Sequence, residues 1–207
     1  MRFAGTERAT IELDGWFAPD ALAVPHAATL ELDADGRARV SLFAFHVDDL
    51  AIVALPVLRA SYAELLWRVA VRIAGQPAWW IASCDLGSRR ARWLAEHAIH
   101  YPVRRARVAV DADEIRADVG PRTLAISVGA SIGEKRSPER RRVVTGPRAD
   151  WEVPWGDDGS GAVLAPVSVE ADSLSQATLG MSVAWAPVCL VRIGRLHRCG
   201  SSRPCYK

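Results

Sequence analysis

Residues 61–73 read SYAELLWRVAVRI, and this stretch decides how the rest of the chain is understood. From Trp67 onward the side chains alternate. Trp67, Val69, Val71 and Ile73 fall on one side and Leu66, Arg68, Ala70 and Arg72 on the other, the period of two of a pleated strand. Tyr62 and Glu64 at its head are two residues apart and therefore share a face. A carboxylate in that place either ends a strand in water or stands in a pocket for a chemical reason.

Working outward, a Gly75-Gln76-Pro77 turn leads to a strand at residues 78–83, where adjacent Trp79 and Trp80 must lie on opposite faces. Residues 88–98, SRRARWLAEHA, form the clearest helix. Ser88 is its N-cap, Ala91, Leu94, Ala95 and Ala98 make its apolar stripe, and it stops ahead of Tyr101-Pro102. Strands follow at 104–110, 114–118 and 123–128, separated by short turns. On the other side, residues 28–32 and 37–45 read as a hairpin about Asp33-Ala34-Asp35-Gly36, and 51–55 as a buried strand. Residues 1–27, broken by Pro19 and Pro25, read as an irregular entry segment, and 129–162 as the least ordered part. Two more strands are placed at 162–169 and 181–193. The expected fold is α+β but mainly β, an antiparallel meander or barrel, in one domain spanning 1–207.

Composition narrows the function. Half of the 207 residues are hydrophobic and 24% are charged, as in ordinary globular proteins, and a net charge of +2 does not by itself imply nucleic acid or a membrane as partner. The longest apolar run, 50–58, is too short to span a bilayer, and the first ten residues lack a signal-peptide pattern, so the expected location is the cytoplasm with free thiols. Only Lys135 and Lys207 are lysines, which leaves arginine as the source of nearly all positive charge and withholds amine nucleophiles.

The segment ASYAELLWRVAVRI resembles the Tyr-x-Glu strand of the acetoacetate decarboxylase-like superfamily. The run DLGSRRARWLAEHAIHYPVRRARVAV resembles the helix and Pro-containing turn of its bacterial branch, the domain of unknown function 2071. The resemblance covers about residues 28–130. It implies a closed or cone-shaped antiparallel β-barrel with short helices and an internal small-molecule pocket. In the decarboxylase branch a Gly-x-Pro-Lys step supplies a lysine that forms a Schiff base with the substrate ketone. Here the step reads His100-Tyr101-Pro102-Val103, with valine in the lysine's place. The resemblance therefore implies a pocket without imine chemistry.

Glu64 is the candidate catalytic acid or base, and the alternative is a strand-end glutamate paired with an arginine. Tyr62 and Tyr101 are candidate substrate-binding hydroxyls, or packing residues with a wet tip. Arg104 is the candidate clamp for a carboxylate, or else the partner of Glu64. His46, His97 and His100 lack a neighbouring nucleophile signature. Cys189, His197, Cys199 and Cys205 have the right chemistry for zinc but not its tight ligand spacing, so no metal site and no cofactor is expected. The arginine-rich run 133–148 reads as a solvated loop, because no stacking aromatics are interleaved, and Trp151 and Trp155 as a lid or as packing anchors. The expected partner is a small-molecule ligand, and a homo-oligomeric contact stays open. A ligand-binding or scaffold barrel without catalysis is the competing reading.

Overall fold

The computed structural model describes residues 3–19, 22–52, 55–133, 141–149, 151–153, 162–194 and 203–204. The strands among them are β1 Phe3–Phe17, β2 Ala28–Leu30, β3 Ala38–Ile52, β4 Leu55–Ile73, β5 Gln76–Leu86, β6 Val103–Arg105, β7 Arg107–Val110, β8 Glu114–Val119, β9 Arg122–Val128, β10 Arg142–Thr145, β11 Trp151–Val153, β12 Val163–Asp172, β13 Ala184–Trp185, β14 Val188–Gly194 and β15 Arg203–Pro204. Two helices accompany them, α1 Arg89–Ala98 and α2 Leu174–Leu179. No described helix is long and apolar enough to cross a membrane.

All these strands join one sheet. Its main path runs β15-β11-β10-β5-β4-β3-β1-β14-β12-β9-β8-β7, with β13, β2 and β6 pairing off it onto β1, β4 and β5. The path has two ends, so a closed ring is not part of it. Nor is it purely antiparallel: β10 and β6 both pair with β5 in parallel. The mainly β, α+β class stands.

β4 keeps the alternation read from its sequence. Leu65, Trp67, Val69, Val71 and Ile73 belong to a large core shared with β1, β3, β8, β9, β12 and β14. Leu66 and Ala70 face the other way, into a second core under α1 with Phe43, Trp79, Ile81, Cys84, Leu86, Ala91, Ala95, Tyr101 and Val143. Trp79 and Trp80 take opposite faces as expected. A register shift at Trp67/Arg68 puts both Ala82 and Ser83 of β5 opposite that point, which returns Cys84 to the α1 side.

Several expectations give way. Residues 3–17 are not irregular: they form β1, flanked by β3 and β14, with Ala9, Ile11 and Leu13 in the large core and Thr10, Glu12 and Asp14 turned to the opposite face. The turn after β2 exists, with Asp33 Oδ1 accepting the Asp35 and Arg37 amides, but β2 pairs with Val71–Ile73 of β4. The reason is room. β3 meets β1 on one edge and β4 on the other, and its ladder with β4 starts only at Val40↔Val69, leaving the end of β4 uncovered. Of the separate strand expected at 51–55, residues 51 and 52 end β3 and Leu55 opens β4, while 53 and 54 lie outside the described residues. β3 instead continues through a bulge near Asp49, whose positive φ of 53° is tolerable for aspartate and whose amide is held by Ser61 Oγ at 3.0 Å.

Candidate functional site

Helix α1 is where the sequence predicts it. Ser88 Oγ accepts the Ala91 amide at 3.3 Å, capping the first turn, and Arg92 reaches back to the Gly87 carbonyl at 2.9 Å. The helix ends at Ile99. His100 follows with φ of 60°, turning the chain so that the Tyr101 amide bonds Ala95 O and the Pro102 carbonyl accepts the Cys84 amide at 3.0 Å. This turn lodges Tyr101 between α1 and the face of β4 that carries Glu64. His100 stacks on Trp151, with ring centroids 3.8 Å apart.

The register of β14, β1, β3, β4 and β5 defines what surrounds Glu64. One row across the sheet reads Arg192, Thr10, Phe45, Glu64, Leu86, and the next Leu190, Glu12, Phe43, Leu66, Cys84. A third brings Asp14, Ser41, Arg68 and Ile81 together. Glu64 is only 3% exposed. Its Oε1 accepts from Cys84 Sγ at 3.4 Å, and the Tyr62 hydroxyl also bonds its carboxyl. Burial dominates those hydrogen bonds and pushes the Glu64 pKa up to about 8. Burial, then the neighbouring Glu64, raises the Cys84 thiol well above its ordinary range. At neutral pH this site therefore holds a neutral carboxylic acid beside a neutral thiol, a proton donor rather than a base. Phe45 packs edge-on to Tyr62 at 6.2 Å and lies 5.6 Å from Phe43, which gives the acid an aromatic wall.

Arg104 lies on the opposite face. It pairs in register with Asp85, which stands opposite Leu65 of the large core. Its Nε and Nη2 bond Asp85 Oδ1 and Oδ2 at 2.7 and 2.8 Å, and Nη2 also donates to Thr178 Oγ1 on α2. Trp67 Nε1 adds a donor to Asp85 at 2.9 Å. Of the two roles expected for Arg104, the pairing with Glu64 is not formed, because the sheet stands between them and Asp85 takes its guanidinium. The structure brings Tyr62, Glu64 and Tyr101 to one face and leaves Arg104 on the other.

Three solved structures share this arrangement of strands. An acetoacetate decarboxylase-like enzyme from Sphingomonas wittichii RW1 matches with a TM-score of 0.65 at 14% identity, over 98% of this chain and 92% of its own. The fold is that of the acetoacetate decarboxylase-like proteins. The enduracididine biosynthesis enzyme MppR matches at 0.63 with 11% identity over 99% and 86% of the two chains, and acetoacetate decarboxylase from Legionella pneumophila at 0.60 with 15% identity over 97% and 88%. Neither a family model nor a curated protein matches the sequence.

On this acetoacetate decarboxylase-like scaffold, the sequence reading overlooked Thr10, Ser41, Phe43, Arg68, Cys84 and Asp85. Arg68 was within reach, since it has the same parity on β4 as Tyr62 and Glu64; the others needed the register. Among the described residues no group of histidines, cysteines and carboxylates is placed to hold a metal ion. Cys189 is buried in the large core, and His197, Cys199, Cys205, Trp155, Lys135 and Lys207 lie outside the described residues. His46 stands 3.7 Å from Asp48, and His97 is exposed, stacked on Trp93.

Proposed function

We propose that this protein binds a small carbonyl or carboxylate compound on the Glu64 face of β4 and acts on it by proton donation, without a Schiff base. The observation that carries this reading is a buried Glu64, hydrogen-bonded by Tyr62 and Cys84 on the face that Tyr101 packs against, where burial pushes its pKa up to about 8. A neutral carboxylic acid in an apolar, water-poor place is a strong hydrogen-bond donor to a carbonyl oxygen. When a bond at the carbon next to that carbonyl breaks heterolytically, the departing group leaves without the electron pair, as carbon dioxide from a carboxylate or as a proton to water, and that pair forms the C=C bond of an enol. The carbonyl oxygen then takes the Glu64 proton. The resulting carboxylate is stabilised by the Cys84 and Tyr62 hydrogen bonds, and it regains its proton from the enol hydroxyl as the α-carbon takes a proton from water and the ketone re-forms. Tyr62 and Tyr101 orient the substrate. Arg104, saturated by Asp85, is assigned to holding β5, β6 and α2 together rather than to the ligand.

Val103 supports the absence of an imine. It packs against the same cluster as Glu64's neighbours, so the position of the decarboxylase lysine is filled by an alkyl group. We place the chain in the branch of the domain of unknown function 2071 on the strength of residues 61–73 and 85–110. We further propose a shell closed through residues 103–110, because β6 pairs with β5, β7 pairs with β8, and the Ala106 amide between them bonds Leu86 O at 3.1 Å.

The test combines turnover with trapping. Small oxo acids and ketones are screened for product formation by proton NMR, and each hit is treated with borohydride before mass measurement. Glu64→Gln is expected to lower turnover by about 100-fold at pH 6 with no loss of melting temperature, and borohydride to add no mass. Turnover retained in Glu64→Gln, or a reduced adduct on the protein, overturns the reading. The second reading, a barrel that binds without reacting, is favoured by the missing lysine, and ligand binding with no product from any hit establishes it.

A further inference from the structure

Helix α1 turns Ala91 and Ala95 into the core beneath it and packs Leu94 toward Val47 and Leu50. With about 3.6 residues per turn, the opposite arc carries Arg89, Arg90, Trp93, Glu96 and His97, and all five are exposed. Trp93 is 62% exposed, whereas Trp67 on β4 is fully buried. The indole stacks on the His97 ring, with centroids 5.1 Å apart and planes 17° from parallel. His97 Nδ1 donates to the Trp93 carbonyl at 2.9 Å, which pins the imidazole in place. Two flat rings therefore stand parallel at the surface, most of the indole in water.

Positive charge surrounds this stack. Arg89 and Arg90 flank it on the helix, and Arg105 joins them from β6, which lies against α1. Val103 packs into the cluster under the helix and Arg104 turns to Asp85 on the other face, so alternation returns Arg105 to the helix side, in register with Leu86. Among the described residues Arg89, Arg90 and Arg105 have no carboxylate partner. Elsewhere on the surface Arg8, Arg37 and Arg116 are paired with Asp48, Asp33 and Glu114. Glu96 is the one carboxylate on α1, so this face is net positive by itself.

We propose that the outer face of α1 binds single-stranded nucleic acid, with a base stacked on Trp93 and the flanking phosphates held by Arg89, Arg90 and Arg105. A flat aromatic accepts the π face of any base, and guanidinium forks match phosphate oxygens, so the contact is indifferent to sequence. The run 133–148 offers arginines without interleaved aromatics, whereas α1 supplies both on one arc. A duplex keeps its base faces inside its own stack, so only unpaired strands reach the indole. An anionic bilayer finds little to bury here, because the apolar stripe of α1 faces the protein core. An acidic protein pairs with the arginines and leaves the ring stack without a use.

The test titrates the full-length protein into fluorescein-labelled oligothymidylate, oligouridylate and a DNA duplex of equal length, reading anisotropy between about 50 and 200 mM salt. Both single strands are expected to bind with a dissociation constant below about 100 µM at the lowest salt. They are expected to bind at least about fivefold tighter than the duplex, the effect of one stacked base. Three phosphate contacts give a log–log salt slope of about −2. Trp93→Ala is expected to weaken single-strand binding by at least about fivefold, and Trp93→Phe, which keeps a flat ring, to restore most of the affinity. Arg89→Gln, Arg90→Gln and Arg105→Gln together are expected to remove most of the salt dependence. No binding at the lowest salt, wild-type affinity in Trp93→Ala, or a duplex bound as tightly as the single strands overturns the proposal. Polyglutamate or phosphatidylserine vesicles bound with the same dependence on Trp93 also overturn it, and assign the face to an acidic protein or a membrane instead.

Discussion

Replacing Glu64 with glutamine separates the charge of this side chain from its shape. In the folded protein its pKa is raised from the ordinary 4.5 to about 8 because the site has almost no water. A carboxyl whose folded pKa exceeds its unfolded one binds more protons in the native state, so its contribution is fully present below pH 4.5 and is lost as pH rises through about 8. At 1.36 kcal/mol per pH unit the interval corresponds to ~5 kcal/mol, an upper bound that local relaxation and water entry reduce. Glutamine keeps an acceptor for Cys84 and Tyr62 but cannot ionise. Urea unfolding of wild type and Glu64→Gln at half-unit steps from pH 4.5 to 9 is the assay. The variant is expected to gain on wild type by several kcal/mol across that range, with the gap levelling off above about pH 8. Parallel curves, diverging by less than ~1 kcal/mol, refute the argument, because a carboxyl that ionises without cost is solvated.

Two further outcomes follow from the same geometry. Asp85→Asn removes the buried charge that half-buried Arg104 and Trp67 bond, and the expected cost is ~1–3 kcal/mol in urea unfolding at pH 7, the loss of charge-assisted hydrogen bonds. A loss below ~1 kcal/mol means that water reaches Arg104. Ser88→Ala removes the cap of α1, so a loss of ~1 kcal/mol is expected, with faster amide exchange at Ala91; unchanged exchange there refutes the cap.

The parts of the fold that were legible in the sequence are those written locally. The alternation from Trp67 to Ile73, the cap of α1 and the inward side of Ala91 and Ala95 need only neighbouring residues, and these hold in three dimensions. β1 was legible in principle, since Ala9, Ile11 and Leu13 alternate with polar residues, but Pro19 and Pro25 drew the whole segment into a loop. Helix α2 is six residues long, too short for periodicity to declare itself. The site was half legible. Tyr62 and Glu64 share a face by parity alone, whereas Arg104 has a neighbour of opposite parity in Arg105. Only the β5–β6 register shows which arginine meets the sheet interior and that Asp85 is waiting there.

The place of β1 between β3 and β14 has a consequence for how the molecule is made. Residues 3–17 precede β3 in the chain and find it soon after synthesis, yet their other edge stays bare until residues 188–194 are made. The segment from β3 through β12 must be looped out before that seam is sewn, so its closure is a slow event with a long-lived sticky margin. The Arg192–Thr10 step beside Glu64 is stitched in that same late event, so this face of the sheet is whole only once β14 has been made.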